Sequence, residues 1–216
     1  MIRPAPGNHE YIPYPDWSGR NDCPSNAAGY FDYFGAAAGD RNTGYYSFNL
    51  GRWHLLALNS ECAVVGGCQA GSPEEVWLRN DLAHHRTLCT LAFWHRAYFS
   101  SSGTTNRYEQ FRAFWDDLRN FGAEIVLNGH RHNYERFAPQ DSFGRLDKRR
   151  GIREFIVGTG GDYLEPIQRH LPTSQARNDQ TFGVLVLTLR PRSYSWRFVP
   201  EAGATFSDAG SSACHR

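Results

Sequence analysis

The sequence reads Ala-Glu-Ile-Val-Leu-Asn-Gly-His-Arg-His over residues 123–132, a short apolar run followed directly by a polar segment. Residues 123–128 have the length and character of a buried strand. His130 and His132 follow it two positions apart, and in an extended chain such residues point to the same side, so we expect both imidazoles to face one site. Gly129 lets the backbone approach that site closely. Chemistry placed directly after a strand is typical of α/β folds.

Other apolar runs surround this segment. Strands are predicted over residues 52–59, 88–94, 152–158, 182–189 and 194–199, and helices over 73–85 and 108–121. Ser72-Pro73-Glu74-Glu75 favours the first helix, because it supplies a cap, a proline at the first helical position and a glutamate three residues after the cap. The order strand, helix, strand, helix, strand, then strands alone predicts an α/β layered domain whose last strands form a second sheet or an edge.

The composition limits the class of protein. The 216 residues suffice for one domain and are too few for two ordinary ones, and 14% aromatic residues exclude a disordered chain. No apolar run approaches the roughly 20 residues of a membrane span, and we expect no signal peptide in this chain. The net charge of +1 argues against a nucleic-acid partner held by bulk charge. We expect one domain over residues 1–216, without a membrane or nucleic-acid partner and with an oligomeric state that the sequence leaves open.

The five cysteines are an odd number without CxxC spacing, which gives a zinc finger little support. The spacing allows a short loop disulfide between Cys62 and Cys68, which would imply an oxidising compartment, and the sequence leaves the pairing of the five cysteines open.

Two more segments carry polar groups suited to chemistry. Gly7-Asn8-His9-Glu10 sets a glycine beside three polar residues, and Phe93-Trp94-His95 ends an apolar strand on a histidine. Together with Gly129-His130-Arg131-His132, in this order, they closely resemble the C-terminal motif series of the calcineurin-like metallophosphoesterases. The continuation through Asn133-Tyr134-Glu135-Arg136 resembles the purple acid phosphatase branch more narrowly, and the likeness runs through nearly the whole chain. The resemblance implies a layered α/β/β/α sandwich.

The same resemblance implies a role for each polar side chain. Asn8, His95 and His130 would bind one metal ion and His132 the other, in a pair drawn from iron, zinc and manganese. Such a pair activates water for attack on a small phosphate monoester. His9 would donate a proton or hydrogen bond to the leaving oxygen as the catalytic residue, and Glu10 would orient its neighbours without binding metal.

The chain also departs from this family pattern. Two aspartate motifs of the family, which precede Gly-Asn-His-Glu, are not found before residue 7. We therefore expect an N-terminally truncated domain that lacks its first strands and helix, with residues 2–6 as the tail of a strand. Such a chain would hold one metal ion or none and be weakly active or inactive, whereas full-length relatives would be extracellular. A non-catalytic remnant that binds metal or phosphate, and a phosphodiesterase, are the alternatives.

Several other basic and imidazole side chains match no family motif. His54 is expected at the edge of the core, the pair His84 and His85 at a solvated helix end, and His215 in the tail. The cluster of positive residues over 145–153 is expected to form a solvated turn.

Overall fold

The computed structural model describes residues 2–11, 26–86 and 89–215. Seven strands form one mixed sheet in the order β1-β2-β3-β4-β6-β5-β7. They are β1 (Tyr46–Leu50), β2 (Trp53–Ala57), β3 (Cys89–Arg96), β4 (Ile125–Gly129), β5 (Tyr134–Phe137), β6 (Arg153–Val157) and β7 (Ser174–Asn178). The central strands β2, β3, β4 and β6 are parallel neighbours, so their carboxyl ends meet at one edge of the sheet.

A smaller antiparallel sheet covers one face of the large one. It consists of β8 (Gly183–Arg190), β9 (Ser193–Pro200) and β10 (Ala209–Ala213) in the order β10-β9-β8. Aromatic side chains from the two sheets fill the space between them, among them Trp53, Tyr134, Phe155, Trp196 and Phe198. The strand pair predicted at the end of the chain is thus confirmed as a second sheet.

Two of the α-helices in the described residues, the third and fourth along the chain, cover the opposite face. The α-helices are α1 (Asn8–Tyr11), α2 (Ala28–Phe34), α3 (Pro73–His84) and α4 (Arg112–Asn120), with 3-10 turns at Gly35–Ala38 and Glu109–Phe111. α3 begins as predicted, because the Ser72 side chain accepts a hydrogen bond from the Glu75 amide. Helix α4 buries Phe114, Trp115 and Leu118 against the sheet. Helices, large sheet and small sheet form the predicted α/β layers.

The structure differs from the sequence prediction at the polar strands. The sequence does not predict strands β1, β5, β7 and β10, because none of them contains a continuous apolar run. They form by pairing with more apolar neighbours. Residues 2–7 carry no regular secondary structure, so the expected strand tail there is wrong. No helix in the described part of the chain is long and apolar enough to cross a membrane.

Two disulfides link parts of the fold. The predicted Cys62–Cys68 bond is confirmed, with Cα atoms 5.2 Å apart. A second bond joins Cys89, at the start of β3, to Cys214, 125 residues further on. Cys23 lies outside the described residues.

Candidate metal centre

The candidate centre lies where β3 and β4 end side by side. Trp94 pairs with Asn128 and Arg96 with Gly129, so His95 is an extra residue in a β-bulge of β3. A bulge redirects a side chain out of the regular alternation of a strand. His130 directly follows β4. Parallel pairing of the two strands therefore brings His95 and His130 together, with ring centroids 4.9 Å apart.

Asn8 comes to the same place from the start of the chain, at the first turn of α1. The approach requires Gly7, because a Cβ atom there would lie 2.9 Å from the His95 ring. Glu10 holds this turn, since its Oε2 accepts a hydrogen bond from the Gly7 amide at 2.7 Å. The contact explains why a glutamate stands three residues after the glycine, and it keeps the Glu10 carboxylate bound to the backbone.

Three ligand atoms converge at the centre. Asn8 Oδ1 lies 2.8 Å from His95 Nε2 and 3.2 Å from His130 Nδ1, and the two ring nitrogens are 3.1 Å apart. Adjacent ligands about 2.1 Å from a metal ion are separated by about 3.0 Å in octahedral and about 3.4 Å in tetrahedral geometry. The triangle formed by Asn8, His95 and His130 therefore has the dimensions of one face of a coordination shell.

Hydrogen bonding alone cannot satisfy this triangle. Asn8 Oδ1 accepts hydrogen bonds only, so its two contacts require a proton on His95 Nε2 and another on His130 Nδ1. Both protons together would set two donors against each other 3.1 Å apart. Turning the Asn8 amide over leaves two acceptors facing instead. A cation at the centre of the three atoms removes the conflict, so the residues suit the metal ion that the resemblance implies.

The electrostatics of the centre favour neutral imidazoles. Burial lowers the pKa of His95 to about 4, and the nearby positive charges of Arg96, His9 and His132 act in the same direction. Burial also lowers the pKa of His130 to about 3, helped by His95 and Arg96. Neutral imidazole is the form that binds metal. Both rings are therefore uncharged across the physiological pH range, which metal binding requires.

His132 lies beside the triangle and outside its coordination shell. The extended geometry expected for residues 130–132 is wrong, because His130 has a left-handed backbone with φ of 60° and the chain turns there. His132 packs its ring on Tyr163, with centroids 4.7 Å apart, and its Nδ1 is 3.8 Å from Asp162 Oδ2. That nitrogen is buried without a hydrogen-bond partner. His132 Nδ1 can therefore bind a ligand other than the one that Asn8, His95 and His130 would hold.

His9 and two arginines border the centre. His9 is exposed and follows Asn8, close enough to affect the pKa of His95. Arg96 Nη1 lies 3.2 Å from His130 Nε2, and its Nε pairs with Glu61 at 2.8 Å. Arg131 pairs with Glu165 at 2.9 Å. The sequence interpretation missed Arg96, although its place directly after the strand-end histidine was a signal for it.

The described residues place no carboxylate in the shell of the triangle. In the described part of the chain, no third histidine, cysteine, aspartate or glutamate offers a ligand atom within 4.8 Å of both ring nitrogens. Asp16 and Asp22 lie outside the described residues. The triangle therefore presents neutral ligands only.

The positive cluster predicted over 145–153 does not behave as one turn. Arg153 is buried, and its Nη1 donates to Phe137 O and to Gln175 Oε1, both at 3.0 Å. Arg153 therefore belongs to the core, contrary to the expectation. Arg145 pairs with Asp141 at the surface at 2.7 Å.

Two solved structures share the fold of this chain. The purple acid phosphatase from yellow lupin (Lupinus luteus) seeds matches 98% of this chain and 40% of its own, with a TM-score of 0.78 and 19% identity. GAP50, the anchor in the inner membrane complex of Plasmodium, matches 81% of this chain and 56% of its own, with a TM-score of 0.62 and 11% identity. The fold is the calcineurin-like metallophosphoesterase fold, as predicted.

Two purple acid phosphatases are similar to this chain in sequence. Purple acid phosphatase 15 of Arabidopsis thaliana is 34% identical over 104 residues, which are 46% of this chain and 19% of the relative. Purple acid phosphatase 13 of the same plant is 30% identical over 142 residues, 60% of this chain and 24% of the relative. No family profile matches the chain. The resemblance to the purple acid phosphatase branch is confirmed, and the chain spans a fifth to a quarter of the length of these curated relatives.

Proposed function

We propose that the chain carries the histidine side of a metal-dependent phosphoesterase site that acts on small phosphate monoesters. The observation that carries the proposal is the triangle of Asn8 Oδ1, His95 Nε2 and His130 Nδ1, which has the dimensions of a coordination face. The purple acid phosphatase relatives support the reaction class. When bound, iron, zinc or manganese would supply a Lewis acid and an activated water.

The protein's own residues would divide the remaining work. Asn8, His95 and His130 would hold one ion, and His132 with its unpartnered buried Nδ1 would contribute to a second. His9, exposed beside Asn8, would donate a proton or hydrogen bond to the leaving oxygen. Glu10 would keep the turn in place through Gly7.

The lack of a carboxylate in the shell bears on activity. A pair of metal ions needs anionic ligands to offset its charge, and the triangle offers none within 4.8 Å in the described residues. We infer that these 216 residues bind metal more readily than they hydrolyse esters, and that full activity requires aspartate ligands in addition. The two disulfides support an extracellular location.

Metal affinity tests the proposal. We expect the 216-residue chain, loaded with zinc or manganese, to lose at least tenfold in metal affinity at this centre in His95→Ala. His170→Ala is the matched control, because His170 is exposed and contacts Arg177. Unchanged metal binding in His95→Ala would contradict the proposal.

A binding function without catalysis is the second candidate. The neutral shell favours it, and the fold also occurs in GAP50, which is described as an anchor. Two firmly held metal ions per chain together with hydrolysis of a simple aryl phosphate would exclude it. Faster turnover of a phosphodiester than of the monoester would instead favour the third candidate, a phosphodiesterase.

A further inference from the structure

Arg96 contacts the ring nitrogen of His130 that takes no part in the triangle. It directly follows His95 at the end of β3, and its Nη1 lies 3.2 Å from His130 Nε2. The guanidinium group of an arginine has hydrogen-bond donors and no acceptor, and it stays charged at every physiological pH. In this contact Nε2 of His130 is therefore the acceptor.

A carboxylate and a backbone contact hold Arg96 in this orientation. Its Nε and Nη2 pair with the two carboxylate oxygens of Glu61 at 2.8 Å and 3.4 Å, and its amide donates to Ser60 Oγ at 3.1 Å. The Glu61 amide in turn donates to Oδ1 of the fully buried Asn59 at 3.0 Å. A two-point pair with a carboxylate fixes the direction of a guanidinium group as well as its position. The contact between Arg96 and His130 is thus built into the fold.

This contact decides which nitrogen of the neutral His130 ring carries the proton. A neutral imidazole has one N–H, and the nitrogen that accepts a hydrogen bond is the other one. With Nε2 accepting from Arg96, the proton lies on Nδ1, the atom that faces Asn8 Oδ1 at 3.2 Å and His95 Nε2 at 3.1 Å. A protonated nitrogen has no lone pair for a metal ion. His130 therefore cannot accept from Arg96 and bind metal through Nδ1 at the same time.

Arg96 is the opposite of the usual partner of a metal-bound histidine. When Nδ1 is a ligand, the proton of His130 has to lie on Nε2, and two N–H groups would then face each other across the present 3.2 Å contact. Histidines that bind metal ordinarily donate this second N–H to an oxygen acceptor, which orients the ring. The positive charge of Arg96 also opposes a second cation nearby. Arg96 thus has to move away from His130 before Nδ1 becomes a ligand.

We propose that Arg96 is a positioning residue that holds the proton of His130 on Nδ1 and thereby lowers the metal affinity of the centre. The inference rests on the proposed function, since it concerns the ion that Asn8, His95 and His130 would hold. Binding exchanges a hydrogen bond from a charged donor for one metal ligand. The centre of this chain accordingly releases metal more easily than the same three ligands would without Arg96.

Zinc titration of the 216-residue chain tests the proposal. We expect Arg96→Gln to raise zinc affinity at the centre at least tenfold, because binding no longer breaks a hydrogen bond from a charged donor.

Arg131→Gln is the matched control for the loss of charge. Arg131 also follows a candidate ligand, and its positive charge likewise lowers the pKa of His130. Its guanidinium group, however, bonds to Glu165 and Tyr108. The control should change zinc affinity by less than about threefold. Equal gains in the two variants would reduce the effect to charge and overturn the proposal, as would an unchanged or lowered affinity in Arg96→Gln.

Nitrogen NMR of the metal-free chain measures the tautomer directly, because the chemical shift of a ring nitrogen differs between its protonated and unprotonated forms. We expect the proton of His130 on Nδ1 in the unmodified chain and in Arg131→Gln, and a shift toward Nε2 in Arg96→Gln. Loss of the signals in His130→Ala assigns them. A proton on Nε2 in the unmodified chain would overturn the proposal.

The two measurements separate the failure of this inference from that of the proposed function. If neither the unmodified chain nor Arg96→Gln binds zinc in a way that depends on His95, the proposed function fails. The tautomer of His130 is read without metal and still decides whether Arg96 holds the proton on Nδ1.

Discussion

The two edges of the large sheet carry histidine groups of opposite character. At the carboxyl ends of β3 and β4, the ligand atoms of Asn8, His95 and His130 meet without a carboxylate among them. At the amino ends of β2 and β3, a carboxylate lies between His54 and His85. The first group is in conflict until a cation arrives, whereas the second is satisfied by a proton alone.

The difference shows how burial acts with and without a charged partner. Burial lowers the pKa of His95 to about 4, and the neighbouring positive charges of Arg96, His9 and His132 act in the same direction. Burial also opposes ionisation of Asp81, but hydrogen bonds from His54 and Ser47 outweigh it and lower the pKa of this carboxyl group. The carboxyl edge is thus suited to bind and exchange ligands, and the amino edge to hold elements of the fold together.

The largest expected effect compares the disulfides at the two edges. The Cys89–Cys214 bond closes a loop with a separation of 125 residues, and the Cys62–Cys68 bond closes one of 6. Loop-closure entropy predicts a loss of about 4–5 kcal/mol for Cys89→Ser/Cys214→Ser and about 2 kcal/mol for Cys62→Ser/Cys68→Ser. Urea unfolding measures both. If Cys89→Ser/Cys214→Ser loses no more unfolding free energy than Cys62→Ser/Cys68→Ser, the long-range disulfide at the amino edge contributes no more than the short one.

The second prediction concerns the support of the carboxyl edge. Glu154 in β6 is fully buried and accepts hydrogen bonds from the Tyr98 amide at 2.9 Å and the Phe99 amide at 3.2 Å, just after β3. Glu154→Ala leaves these amides unpaired and should cost about 3 kcal/mol of unfolding free energy.

Glu154→Gln is the control for this variant. Glutamine keeps an oxygen that can accept from both amides, as Glu154 Oε1 does, and burial, which raises the pKa of Glu154 well above its usual range, does not disfavour a neutral side chain, so this variant should cost less than about 1 kcal/mol. The measurement is again urea unfolding. A glutamine variant as unstable as the alanine variant would contradict the assigned role.

The apolar strands of the fold could be predicted from the sequence, and the polar ones could not. β2 and β3 are continuous apolar runs because they are buried in the centre of the sheet. β7, with the sequence Ser-Gln-Ala-Arg-Asn, forms because β5 offers it a partner. Pairing of that kind depends on tertiary contacts that no local pattern records.

The two histidine groups differ in the same way. Motif order brought Asn8, His95 and His130 into one prediction, although the bulge at His95 and the left-handed backbone at His130 were not readable from residue spacing. His54 and Asp81 are 27 positions apart and match no motif. Only the pairing of β2 with its neighbours and the end of α3 bring them together.

The third prediction tests the charge at the amino edge. Asp81→Asn removes the ionised partner of His54 and Ser47 and should cost about 1–2 kcal/mol at pH 7. Because the folded pKa of Asp81 lies below its usual 3.8, its contribution is present above that pH and is lost as the pH falls through the folded value. The stability gap between the two proteins should therefore be full at pH 7 and shrink in acid. A gap of constant size in urea unfolding from pH 7 to pH 3 would refute this.

The smallest expected effect comes from a carboxyl group that lacks the compensation Asp81 has. Burial, together with the neighbouring Glu75 carboxyl group, raises the pKa of Asp117 in α4 to about 7. The folded chain then keeps a proton that the unfolded chain loses near pH 4, so stability falls as the pH rises from about 4 to 7 and is level above. A shift of about three pH units corresponds to roughly 4 kcal/mol, of which solvent screening of this half-buried group leaves about 1 kcal/mol. Asp117→Asn avoids this loss and should be more stable than the unmodified chain by that amount at pH 8, with the two converging toward pH 4. Asp116→Asn, whose partner Arg112 lies 3.5 Å away at the surface, is the matched control and should change stability by only a few tenths of a kcal/mol. If Asp117→Asn destabilises the chain at pH 8, burial and the neighbouring Glu75 carboxyl group are not what distinguishes Asp117 from Asp81.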